Sequence, residues 1–74
     1  MHTKATAFKA KPVAIKVAVI ENQMTFVKLA EETNSAYATI VNIAAGTQNT
    51  TKLRAHIIAD ALGKNVEDLF TEVN

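Results

Sequence analysis

Two glycines and one proline punctuate these 74 residues, and their positions constrain the fold more than any other feature. Glycine is favoured just past a helix end, where the backbone turns left-handed and a Cβ is costly. Proline suits the first helical position, where its missing N–H is not needed. Pro12, Gly46 and Gly63, set in an alanine-rich chain, therefore predict several short helices. The first spans residues 12–22. Thr25 is a good N-cap for a second over 26–33, with Met24 and Leu29 spaced as a hydrophobic staple. Asn34 follows, and asparagine tolerates a left-handed backbone better than most residues. A third helix starts at Ser35 or Ala36 and ends at Ala45, before Gly46. A polar loop, 47–51, leads to a fourth helix over 52–62, capped by Thr51 and closed by Gly63. Asn65 caps a short fifth helix through Phe70. Residues 1–11 lack helical periodicity and read as an arm, with a short strand around 6–9 and Phe8 as its anchor on the body. The domain proper is 12–74.

Length and composition exclude several function classes. A chain this short holds one domain. Hydrophobic residues are 49% of the chain, enough for a core rather than a disordered coil. No cysteine is present, so neither a disulfide nor a thiolate metal site is available. His2 and His56 are too few to hold a metal, and His56 is expected to pack on the fourth helix. Ser35 is the only serine, and no nucleophile–base–orienter set accompanies it, so no enzyme is expected. Neither a cofactor nor a small-molecule ligand is implied. No apolar run approaches the roughly 18 residues of a membrane span. The first residues carry lysines but no apolar signal region, which reads as cytoplasmic.

Charge is unevenly spread around a formal net of +1. Residues 1–28 carry five lysines against Glu21 alone. Residues 33–59 carry Lys52 and Arg54 and no acid. The last fifteen residues are acidic. A basic front and an acid-free middle suit a polyanion on one side of the molecule.

Residues 26–45, FVKLAEETNSAYATIVNIAA, carry the most specific pattern. Ala30 is small where two helices must approach closely. Asn34 sits where the turn needs a left-handed residue, and Leu29, Ile40 and Ile43 supply the buried contact. That spacing is the one a DNA-binding helix-turn-helix requires. Over residues 15–70 the chain resembles the Cro and phage-repressor, or Xre, family. Leu29-Ala30, Thr39-Ile40, Gly46, the run Ala59-Asp60-Ala61-Leu62-Gly63 and the ending Val66-Glu67-Asp68-Leu69-Phe70 match its motifs in order. The resemblance implies an all-α, five-helix Cro/repressor-like helix-turn-helix domain with an extended N-terminal arm.

What the resemblance implies about function is double-stranded DNA binding by a small transcriptional regulator acting through operator occupancy. The third helix would enter the major groove with Tyr37, Ala38, Val41 and Asn42 at the bases and Thr39 near phosphate. Asparagine can bond both N6 and N7 of adenine, and Ala38 and Val41 suit a thymine methyl. Thr47, Gln48, Asn49 and the start of the fourth helix would meet backbone phosphates, with Lys28 and Lys52 adding charge. Arm lysines Lys4, Lys9 and Lys11 are further phosphate candidates. Family members bind as dimers to paired half-sites, so a homodimer is expected.

The departures are specific. A family glutamine that binds phosphate is Phe26 here, the turn glycine is Asn34, and the apolar residue after it is Ser35. An Arg–Glu pair linking the first and third helices is replaced by Val19 and Ala44, both charges absent together, which avoids stranding one of them. Phe26, Ala38 and the low net charge keep a second reading open: a protein-interaction module on the same fold, such as an antirepressor or adaptor. Surplus apolar residues bear on this choice. Leu53 and Ile57 face away from the inward stripe of the fourth helix, and Val13, Val17 and Ile20 are left over on the first. Either the arm and tail cover them or a second subunit does.

Overall fold

The computed structural model describes residues 7–73. Its elements are β1 (Ala7–Ala10), α1 (Ala14–Glu21), α2 (Phe26–Glu32), α3 (Tyr37–Ala45), α4 (Lys52–Ala61), α5 (Val66–Leu69) and β2 (Phe70–Val73). All five expected helices form, each ending within two residues of its predicted limits. The protein is nonetheless mostly helical rather than all-α. β1 and β2 pair antiparallel, with Ala7 opposite Val73 and Ala10 opposite Phe70. The far edge of β1 is bridged by Thr50, through reciprocal Phe8–Thr50 backbone bonds of 2.8 Å each.

The strand expected around residues 6–9 forms as β1, with Phe8 as its anchor. β1 lies within residues 1–11 but belongs to the body, because Phe8 and Ala10 alternate inward and join the core. Lys11 is fixed too: its N–H donates to the Leu69 carbonyl at 2.8 Å and its ammonium to the Glu67 carbonyl at 2.6 Å. Lys4 lies outside the described residues. Phe70, expected to close the fifth helix, instead begins β2.

Local chemistry accounts for the helix limits. Thr25 and Thr51 accept the N–H of Lys28 and Arg54 through their side chains, at 3.1 Å each. Asn65 donates its N–H to the Asp68 carboxylate at 3.1 Å. Gly46 has φ +80°, a left-handed backbone that side chains rarely adopt, and a Cβ there would make only ordinary contact with Lys9 at 3.6 Å. Asn34 is left-handed at φ 54° and forms the turn, as expected. Pro12 departs from expectation. It lies in a turn, Val13 takes φ 53° as the left-handed cap, and α1 begins only at Ala14. A β-branched residue in that region carries strain of order 1–3 kcal/mol.

The core comprises Ile15, Leu29, Ile40, Ile43, Ile58 and Leu62, all fully buried, with Phe8, Leu69 and Phe70 from the chain's two ends. Full burial of such a side chain contributes about 1.5–3 kcal/mol. Val19 is buried and Ala44 half-buried against this core, so the sites of the missing ion pair are apolar. Asn22 joins the far ends of α1 and α4, its amide donating to the Ala18 and Leu62 carbonyls at 2.8 and 3.0 Å. The surplus apolar residues stay uncovered: Val13, Val17, Ile20, Leu53 and Ile57 are all exposed, since β1 and β2 cover the core elsewhere. His56 is exposed as well, not packed.

Candidate nucleic-acid interface

The outer side of α3 is built by elimination. Ile40 and Ile43 bury one face of the helix. The opposite face carries Ala38 and Asn42, both exposed, while Tyr37 is exposed on the flank between the two faces. Tyr37 stands at the first turn, 54% exposed, with its ring and hydroxyl available to a partner. Ala36 caps α3 without a side-chain acceptor. The first-turn N–H groups of α3 thus lack the side-chain satisfaction that threonine gives α2 and α4.

Loop 47–51 is held against α3 at one end and the sheet at the other. The Asn42 carbonyl accepts the N–H groups of Thr47 and Gln48 at 3.1 and 3.3 Å, and the Thr47 hydroxyl at 3.2 Å. Thr50 is pinned to β1. Between these anchors Thr47, Gln48 and Asn49 stay exposed. Gln48, Asn49, Thr51 and Arg54 line a shallow cavity of about 310 Å³. Lys52 stands exposed at the first residue of α4. The resulting surface joins α3 to the start of α4 and presents amide, hydroxyl and cationic donors. No acid falls within residues 33–59. Such a surface can hydrogen-bond an anionic backbone while Asn42 offers both a donor and an acceptor to a base edge.

Three expected contacts sit differently. Thr39 is half-buried. Val41 is half-buried too, and lines an apolar groove of about 370 Å³ with Val13, Lys16, Phe26 and Ala44, away from Asn42. Lys28 is exposed on α2, but Glu32 lies 3.9 Å from its ammonium and offsets its charge. Arm residues Lys9 and Lys11 flank the sheet, along a cleft they share with Gly46 and Thr71.

Arg54 was not singled out by the sequence. It is half-buried on α4, and its guanidinium donates to the Ser35 hydroxyl at the α2–α3 turn. Ser35 in turn donates to the Thr33 carbonyl at 3.2 Å, and the buried Thr33 hydroxyl donates to the Leu29 carbonyl at 2.8 Å. One signal was available: Arg54 is the chain's only arginine. Among the described residues no cluster of metal-ligating side chains occurs, and no helix is long and apolar enough to cross a membrane. Compared with family models, curated proteins and solved structures, the chain matches none.

Proposed function

We propose that this chain is a sequence-specific double-stranded DNA-binding protein, a small transcriptional regulator of the helix-turn-helix type that acts by occupying its operator. The observation that carries the reading is the exposed face of α3. It presents Tyr37, Ala38 and Asn42 beside a polar, acid-free loop anchored on the same helix. α3 enters the major groove. Asn42 reads adenine, the Ala38 methyl meets thymine, and Tyr37 bonds a phosphate or base edge. Thr47, Gln48, Asn49 and Lys52 hold the neighbouring phosphates. Thr39, Val41 and Lys28 are secondary, given their burial or pairing. Two copies bind paired half-sites, joined through part of the uncovered apolar surface that includes Leu53 and Ile57.

Selection of bound duplexes from a random pool at moderate salt tests the reading. An enriched inverted repeat supports a dimeric reader, and a single enriched half-site a monomeric one. No enrichment by the folded protein overturns it. Tyr37→Ala combined with Asn42→Ala is expected to abolish selective binding with the fold intact by circular dichroism.

The groove formed by Val13, Phe26, Val41 and Ala44 favours a second reading: a protein-interaction module such as an antirepressor or adaptor. Failure to enrich DNA, together with a stable complex that Phe26→Ser disrupts, would move the assignment there.

A further inference from the structure

Arg54 shares the first turn of its helix with Lys52 but, unlike that exposed lysine, is half-buried. It lies in the first turn of α4, facing the positive end of the helix dipole. It is half-buried, and among the described residues no carboxylate comes within ion-pair distance of it. Both circumstances cost stability, so its one specific partner is informative. That partner is the Ser35 hydroxyl, two residues before α3 begins.

Ser35 is the centre of a short chain of bonds. Its N–H donates to the Ala30 carbonyl at 2.8 Å, and its hydroxyl to the Thr33 carbonyl at 3.2 Å. The Thr33 hydroxyl reaches back to Leu29 on α2. Arg54 therefore links α4 to both the end of α2 and the start of α3. α3 has no side-chain cap of its own, and this link reaches the residue just before its Ala36 cap. Arg54 also lines the clefts on both sides of this link, one with Gln48 and Asn49 and one with Asn34 and Ile57.

We propose that Arg54 is a positioning residue for DNA discrimination. Through Ser35 it fixes the angle at which α3 presents Ala38 and Asn42, relative to the phosphate-facing start of α4. It does so without touching a base. This rests on the DNA-binding reading above. Sequence discrimination depends on placing Asn42 against one base edge, whereas phosphate attraction tolerates a tilted helix.

The test compares the protein with Arg54→Met, Ser35→Ala and the double variant. Affinity is measured for the selected operator and for a scrambled duplex, across a salt series. Arg54→Met is expected to lower the specific-to-non-specific ratio by about tenfold or more, with scrambled-duplex affinity and salt slope unchanged. Ser35→Ala should lower the ratio similarly, and the double variant no further than the larger single loss. Equal losses on both duplexes, with a salt slope shallower by about one, would make Arg54 a phosphate contact and overturn the proposal. Additive losses would overturn the route through Ser35.

Amide exchange in the DNA-free protein keeps the two readings apart. Arg54→Met should speed exchange at Ser35 and Ile40, whose N–H groups donate to the Ala30 and Ala36 carbonyls, while α4 stays protected. Unchanged exchange overturns the tether whatever DNA does. Faster exchange in a protein that selects no DNA keeps the tether and sinks the DNA reading with its positioning role. If Arg54→Met does not fold, Ser35→Ala carries the same comparison.

Discussion

α2 and α4 begin alike, and α3 begins differently. A threonine hydroxyl caps each of the first two, accepting an N–H at 3.1 Å. α3 has Ala36 as its cap residue and no such acceptor. α2 and α4 carry their own start signal, so their first turns are specified locally. α3 is held from outside: by Ile40 and Ile43 in the core, by the loop bonded to the Asn42 carbonyl, and by Arg54 through Ser35. A helix fixed in this way keeps its first-turn N–H groups and outer face open to a partner. At the start of α3 the restraint comes from tertiary structure rather than from a capping side chain.

Removing the core anchor should break the contrast most severely. Ile40→Ala is expected to cost about 2–5 kcal/mol in urea unfolding, because α3 has no local cap to fall back on. Losing a cap should matter less and act where it sits. Thr51→Ala and Thr25→Ala are each expected to cost about 1 kcal/mol, with amide exchange speeding up in the first turn of α4 or α2 respectively.

Giving α3 the missing cap sharpens the comparison. Ala36 has the extended backbone a cap requires, at φ −69° and ψ 142°. Ala36→Asp should raise stability by roughly 0.5–1 kcal/mol while weakening DNA binding, because the new carboxylate occupies the N–H groups and repels phosphate. A stability gain with unchanged affinity would separate the first turn of α3 from the DNA surface. The smallest effect belongs to α2: Lys28→Gln removes a long, exposed pair and should change stability by less than about 0.5 kcal/mol. With so few cations on this side, the slope of log affinity against log salt should be shallower than about −6.

Much of the helical frame was legible because its signals are local. Thr25, Asn34, Gly46 and Thr51 each have one backbone geometry they serve well, and each adopts it. The inward stripe of α4 was readable from its period, and Ala55, Ile58, Ala59 and Leu62 are buried. Pro12 misled because two sites suit it equally: the first helical position and the turn just before a helix. The candidates on α3 came from the resemblance to a helix-turn-helix family, and Tyr37, Ala38 and Asn42 among them are exposed. Val41 was harder, because its position on the wheel lies at the margin, and Phe26 on α2 decides which side it joins.

The sequence by itself determined that five short helices form, where most of them start and stop, and which face of α4 is apolar. These depend on backbone preferences and on a period of 3.6, both properties of near neighbours. Tertiary structure alone decided that β1 and β2 pair as a sheet, since strand pairing joins residues sixty or more positions apart. It also decided that Thr50 locks the loop to that sheet and that Arg54 meets Ser35. A hydrogen bond between distant residues leaves no periodic trace in the chain, so only the folded arrangement reveals what holds α3 in place.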